Sequence, residues 1–339
     1  MKEKPVMLVT GASGFLGTHL VRALSKAGHS VRALYHNNKP EGRLLQLPGV
    51  QWMQCDLLDV FAIREALEGI THICHCAAKV SFAHSDKQRM IRDNADTTAN
   101  LVNVALEFPG IRMLHVSSIA TLGRGNLDHP LSETDVWEES KNNTAYARSK
   151  FLSEMEVWRG IEEGLDAVMV NPSIILGAGD WDKGSARLLK IADSEFPYYT
   201  EGINGWVDVQ DVVAAILLLL QAEVSAERFI LSEGNHSYRE IFTLMANALG
   251  KRPPHKEAPE LATKIIAGWN ELRSRLTGKT VTITRETART ARTRCFYNNA
   301  KFLTAFPEFR YTPINEKVLF GFYRVSLLTL AILMNEATQ

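Results

Sequence analysis

With 339 residues, 45% of them hydrophobic and 22% charged, the chain can bury a sizeable core as one large domain or two modest ones. Lys plus Arg and Asp plus Glu balance at 38 each, which argues against a polyanionic partner such as nucleic acid or an acidic membrane surface. Four cysteines, Cys55, Cys74, Cys76 and Cys295, are too few and too scattered for a disulfide framework.

A short polar lead runs straight into an apolar strand, Val6 to Thr10, with no signal-peptide pattern, so a cytoplasmic location is expected. Phe15 to Ala27 has helical periodicity and is closed by Gly28. Strands are predicted at Ser30 to Tyr35, Gln51 to Cys55, His72 to Cys76, Arg112 to Ser117 and Ala167 to Asn171. Helices are predicted between them at Asp59 to Leu67, Asp93 to Glu107 and Thr144 to Gly160. Such alternation predicts an α/β fold, a doubly wound parallel sheet of the Rossmann kind over residues 1–172.

After residue 172 the rhythm breaks. Stretches rich in Gly, Pro and aromatics (Gly177 to Asp182, Phe196 to Gly205) alternate with helices such as Asp211 to Gln221. A smaller C-terminal α/β substrate lobe is expected over residues 173–339, with part of its chain returning to the sheet. Val318 to Met334 is nearly all apolar but short for a membrane span, and it carries Arg324. A helix packed on the body or on a second subunit is the favoured reading, and a membrane-surface anchor is the alternative.

Cys74-His75-Cys76 invites a metal reading, but a strand sends the two thiols to one face and the imidazole to the other. With no second ligand cluster, packed thiols and no metal are expected. His115 lies within the fifth predicted strand as a packed residue, while His84 sits on a loop near the cleft.

The turn after the first strand reads Gly11-Ala-Ser-Gly14-Phe-Leu-Gly17 and opens a helix. This is the pattern of a dinucleotide pyrophosphate site. Gly11 permits a tight turn, Gly14 lets backbone approach the phosphates, and Gly17 lets helix and strand pack closely. Ser13, Phe15 and Leu16 belong to the same cradle, where helix N-terminal amides meet the phosphates. At the end of the second strand an acidic residue would select NAD through the ribose hydroxyl. The chain instead carries Tyr35, His36, Asn37, Asn38 and Lys39, which favours NADP(H) with NAD as the alternative. Asp56 and Leu57, just after the third strand, are expected at the adenine.

Tyr146 and Lys150 stand four residues apart on a predicted helix, so phenol and ammonium share a face. A phenol with an ordinary pKa near 10 is a poor acid–base catalyst, and a neighbouring cation lowers that value. Val116-Ser117-Ser118 ends the fifth strand at the carboxyl edge of the sheet, where a serine hydroxyl can hold a substrate carbonyl beside Tyr146.

These segments, with His75 to Ala78, Asn94, Asn171-Pro172-Ser173 and Val207 to Val212, fall in the order of an extended short-chain dehydrogenase/reductase. The chain resembles that family over nearly its whole length. Within it, Asn171 to Asp180 resembles the dihydroflavonol-4-reductase-like and 3β-hydroxysteroid-dehydrogenase-like branch. The resemblance implies Ser118, rather than Ser117, as catalytic serine alongside Tyr146 and Lys150. It also implies that Lys150 binds the nicotinamide ribose, that Ala77, Ala78 and Lys79 line the cofactor cleft, and that Pro172, Ser173 and Ile174 lie near the nicotinamide. Asn94 supports the fourth strand or joins a proton relay, the first being favoured. A homodimer is the assembly the family suggests.

Reversible reduction of a ketone or aldehyde on a small, moderately apolar substrate is therefore expected. Phe82, Trp181, Phe196, Tyr198, Tyr199 and Trp206 are candidates for an aromatic pocket. A nucleotide-sugar epimerase is the second reading. Its diphosphate would need cations such as Arg285, Arg289 and Arg292, which recur at helical spacing although a solvated face is favoured for them. A 4,6-dehydratase ranks lower because Ile119-Ala120 stands where that chemistry has an Asp-Glu pair. A catalytically silent cofactor-sensing protein ranks last, since Ser118, Tyr146 and Lys150 are all present.

Overall fold

The computed structural model describes residues 5–81, 84–124, 127–181, 184–260 and 284–315, with 263, 265, 268, 269, 319 and 321 besides. Strands β1 (Val6–Thr10), β2 (Ser30–Tyr35), β3 (Val50–Gln54), β4 (His72–His75), β5 (Arg112–Val116) and β6 (Asp166–Pro172) form a parallel sheet. The strands β7 (Ile174–Leu176), β8 (Tyr198–Tyr199) and β9 (Ile203–Asp208) follow β6, and β10 (Glu227–Leu231) then returns to pair with it. The seven strands run in the order β10-β6-β5-β4-β1-β2-β3. Antiparallel β11 (Gly234–Ser237) joins β9 and β7 in a separate three-stranded sheet, and β12 (Lys256–Glu257) pairs with β8.

Successive residues on these strands serve opposite faces. Leu8, Ile73, Met113, Ala167 and Met169 pack into one core, while Met7, Val9, Cys74, Leu114, Val168 and Val170 pack into the other. Both faces are covered, so the strands read as continuous apolar runs in the sequence. Helices α1 (Phe15–Lys26), α2 (Val60–Leu67), α3 (Lys87–Leu106), α4 (Ala145–Glu162), α5 (Arg187–Asp193), α6 (Val209–Gln221) and α7 (Tyr238–Ala248) supply the flanking layers and the lobe beyond the sheet. Phe302, in the helix Ala300–Ala305, belongs to the same core as α1 and α6.

Helix α3 begins six residues before the predicted Asp93, because Met90 is fully buried one turn ahead of Asn94 and extends the inward face through an otherwise polar segment. Helices α3 and α4 pack closely along small and polar residues. Ser153 Oγ donates to the Asn94 carbonyl at 2.8 Å, and a Cβ on Gly160 would lie 2.5 Å from Val102. The apolar stretch Val318 to Met334 lies outside the described residues apart from Leu319 and Gly321, and Leu319 is buried against the core of the lobe. Among the described residues no helix is long and apolar enough to cross a membrane.

Candidate active site

A cavity of about 920 Å³ opens at the carboxyl edge of β1, β4, β5 and β6, walled on its far side by residues after 172. Its near end is the glycine turn. Gly11 has φ +63°, and a Cβ there would meet the Ala77 backbone at 2.7 Å. A Cβ on Gly17 would stand 2.2 Å from the Gly11 carbonyl, so helix α1 could not start this close to β1 with any other residue. Side chains of Asp59, Thr144, Asp208 and Ser237 cap α2, α4, α6 and α7. Helix α1 has Gly14 as its N-cap, with no capping side chain and no acid in its first turn, which leaves its free amides suited to phosphate. Phe15 and Leu16 also line the cavity, and Ser13 is exposed beside them.

The turn is tied to β4 by a chain of hydroxyls. The Ala77 amide donates to Thr10 Oγ1 at 3.1 Å, and Thr10 Oγ1 lies 2.7 Å from His75 Nδ1. His75 Nε2 lies 3.1 Å from Thr98 Oγ1, which itself donates to the Asn94 carbonyl. Thr98 must then accept from Nε2, so the imidazole is neutral with its proton on Nε2. Burial, and secondarily Lys150, holds the His75 pKa at about 3. Both ring nitrogens are thus committed to hydroxyls, and among the described residues no group of three or more His, Cys, Asp or Glu side chains could hold a metal ion. Cys74 is core, but Cys76 reaches the cavity wall, with its thiol pushed up to about 12 by burial. His115 is fully buried against His75, with ring centroids 5.1 Å apart. His84 opens a short 3-10 turn, and its side chain lies outside the described residues.

Ser118, Tyr146 and Lys150 all face this cavity. Ser118 caps a 3-10 turn (Ile119–Leu122), its Oγ accepting from the Ala120 amide at 3.2 Å, and it lies within hydrogen-bonding reach of the Tyr146 phenol. Lys150 is buried, and its Nζ donates to the Val116 carbonyl at 2.7 Å. Burial, partly offset by Glu154, brings the Lys150 ammonium down to about 8. The Tyr146 phenol is pushed up rather than down. Desolvation outweighs every favourable contact, and the Ser118 hydroxyl only moderates it. Adjacent Ser117 turns the other way and donates to Glu154 Oε2 at 2.5 Å.

Glu154, one turn after Lys150, is a residue that sequence patterning did not single out. Although 1% exposed, its carboxylate also accepts from Thr121 Oγ1 at 2.8 Å, Asn171 Nδ2 at 2.9 Å and Arg228 Nη1 at 2.8 Å. It thereby joins α4 to the ends of β5 and β6 and to β10. Asn94 is committed structurally, its Oδ1 accepting from the Lys79 amide at 2.7 Å and its Nδ2 donating to the Lys79 carbonyl at 2.9 Å. This clamps the strand exit that carries Ala77, Ala78 and Lys79. Ala78 lines the cavity, and Ala77 packs partly against the core.

Pro172, Ser173 and Ile174 form the adjoining wall, where the buried Ser173 Oγ has no hydrogen-bond partner among the described residues. Tyr35, His36, Asn37 and Lys39 lie at the carboxyl end of β2, outside the cavity proper, with His36 Nε2 3.6 Å from Asp56 Oδ2. Leu57 buries its side chain in the core and accepts from Asn100 Nδ2 at 3.1 Å, so only Asp56 of that pair presents its side chain at the lip. An uncapped helix N-terminus, a glycine cradle that a Cβ would fill and an unpartnered Ser173 hydroxyl together fit a dinucleotide along this edge.

On the far wall Phe196, Tyr198 and Tyr199 line the cavity, joined by Tyr238 and Phe242. Trp206 does not: it is fully buried edge-on to Tyr238, and Trp181 packs against the same core. Phe82 lies outside the described residues. The arginine stripe also dissolves. The helix Arg285–Thr290 ends before Arg292, Arg289 Nη1 donates to the Lys141 carbonyl, and Arg292 Nη2 donates to the Ala258 carbonyl. A second residue that patterning missed is Arg124, which follows Gly123 directly and projects into the cavity from behind the serine turn.

The pattern of the NAD dependent epimerase/dehydratase family matches residues 7–231. Sterol demethylase protein B of Methylococcus capsulatus is 31% identical over 264 residues, covering 77% of this chain and 79% of that protein. A putative dihydroflavonol 4-reductase of Synechocystis is 30% identical over 271 residues, covering 78% of each. Among solved structures, gox2253 superposes with a TM-score of 0.78 at 28% identity, over 95% of this chain and 98% of that one.

Proposed function

Because the chain belongs to the NAD dependent epimerase/dehydratase family and is an NAD(P)-dependent enzyme of the extended short-chain kind, we propose that it interconverts a ketone or aldehyde and an alcohol on a small, moderately apolar substrate. The observation that carries the reading is the convergence of Ser118, Tyr146 and Lys150 on one cavity wall, beside a glycine cradle and opposite aromatic side chains. Likeness to proteins named as reductases, the putative dihydroflavonol 4-reductase among them, supports the direction toward carbonyl reduction.

The glycine cradle and the adjoining wall would hold a dinucleotide, which would supply or accept the hydride. Every other part falls to side chains of this protein. Ser118 donates to the substrate oxygen and holds it beside the phenol. Tyr146 gives that oxygen its proton in reduction and takes it back in oxidation. In the protein alone the phenol is a weak acid, so the driving force lies in the basicity of the developing alkoxide. Lys150 stays fixed by the Val116 carbonyl with its ammonium pKa near 8, close enough to neutrality to pass a proton toward Tyr146. Phe196, Tyr198 and Tyr199 enclose the apolar body of the substrate.

NADP(H) is the proposed partner. The exposed lip at the end of β2 offers His36, Asn37 and Lys39 as donors, and the carboxylate there, Asp56, is set against His36. The testing experiment is thermal-shift titration with NADP, NAD and a UDP-sugar, followed by NADPH oxidation against a panel of aryl and alkyl ketones. Stabilisation by NADP above NAD, with turnover of ketones, is expected. Stabilisation by the UDP-sugar without ketone turnover would replace this reading with the epimerase.

A further inference from the structure

The guanidinium of Arg124 stands in the cavity wall with no counter-ion among the described residues. Its side chain lies among the phenols of Tyr238 and Tyr297 and the Cys295 thiol, and its Nη1 donates to Thr290 Oγ1 at 3.1 Å. Its backbone is anchored as well, the carbonyl accepting from Ser140 Oγ and Asn142 Nδ2. No carboxylate lies within ion-pair distance of it among the described residues, and none of the described residues that line the cavity is Asp or Glu. Elsewhere in the protein two largely buried arginines meet acids: Arg228 reaches Glu154, and Arg112 reaches Asp166. Burying a cation beside neutral hydroxyls is costly unless an anion completes the site.

We infer that the substrate carries a compact anionic group, a carboxylate or a phosphate monoester, which Arg124 binds while the carbonyl sits at Ser118 and Tyr146. The inference rests on the carbonyl–alcohol reading of this cavity and deepens it. The cofactor's own phosphates are not the anion meant. The groups around Arg124 come from the segments carrying Tyr238, Thr290, Cys295 and Tyr297, and the glycine cradle is not among them. One guanidinium offers paired, coplanar donors to one carboxylate or phosphate, a geometry that an ammonium lacks. Arg124 lies six positions beyond Ser118 across a single 3-10 turn, so their Cα atoms are separated by roughly 15 Å at most, and one small substrate can reach both side chains. The substrate is thus an acid with an apolar, partly aromatic body between its two polar ends.

The test pairs aryl ketones that differ only in charge: benzoylalkanoates of increasing chain length, their methyl esters and the matching phosphate monoesters. Each is assayed for NADPH oxidation and, by calorimetry, for binding to the enzyme loaded with NADP. The wild-type protein should favour one anionic series over its neutral partners by at least tenfold in kcat/KM, chiefly through KM, and the favoured series identifies the anion. Arg124→Met should collapse that ratio toward one, and Arg124→Lys should restore only part of it. Acids that neither bind nor react better than esters on the wild-type enzyme would overturn the inference, whether or not the variants fold. If no ketone is turned over yet acids bind more tightly than esters in an Arg124-dependent way, the carbonyl reading fails and the anion subsite stands.

Discussion

The two walls of the cavity are built on different principles. On the sheet side the ionic groups are answered inside the protein: Glu154 receives Ser117, Thr121, Asn171 and Arg228, and Lys150 is held by the Val116 carbonyl. On the opposite side aromatic rings surround an arginine with no acid beside it among the described residues. The first wall holds its charges in internal hydrogen bonds that fix geometry, and the second presents a charge that no acid among the described residues answers. On the proposed function, one wall positions the chemistry and the other selects the substrate.

Removing the keystone of the sheet-side wall should have the largest structural effect. Glu154→Leu strands Arg228 in a buried site and deprives three donors at once, so a loss of about 3–5 kcal/mol in unfolding free energy is expected by denaturant titration. A loss under about 1 kcal/mol would show that the network is not what holds that wall. Next in size, Gly17→Ala pushes a methyl into the Gly11 carbonyl. A cost of about 1–3 kcal/mol is expected, shared between stability and cofactor affinity and read by melting with and without NADP. An unchanged pair of melting curves would deny the tight cradle.

The smallest effect concerns His236, on β11 in the three-stranded sheet. Glu233 Oε2 and Glu240 Oε1 each lie 2.9 Å from its ring nitrogens, and the Glu233 contact leads in raising its pKa to about 8. A raised folded-state value stabilises fully below the ordinary pKa of about 6.5 and is lost as pH rises through 8. Unfolding free energy should therefore fall by about 1 kcal/mol between pH 6.5 and 8.5, discounted for the exposure of Glu240, and His236→Gln should flatten that slope. An identical slope in the variant would contradict the assignment.

The difference between the walls also governs what could be read from the chain in advance. Gly11, Gly14 and Gly17, and the Tyr146 and Lys150 pair, are related by spacings within one turn or one helix, so local geometry carries them. The parallel strands were legible for a similar reason, since burial on both faces writes itself as apolar runs. Glu154 was not legible, because its four partners come from the residue after β5, the turn that follows it, β6 and β10, and nothing in a helix of ordinary polarity marks a carboxylate for the interior. Arg124 was hidden likewise, since its neighbours lie well over a hundred residues downstream. The arginine spacing, for which a solvated face is favoured, does not make one helical stripe because the helix stops at Thr290, before Arg292.

The central claim is that the Tyr146 phenol exchanges the proton of the reacting oxygen, and single-turnover hydride transfer in Tyr146→Phe tests it most directly. With nicotinamide fluorescence as the signal, NADPH affinity should stay within a few-fold of wild type while the transfer rate falls by about 10²–10⁴-fold. Transfer at the wild-type rate, with cofactor binding intact, would contradict the account.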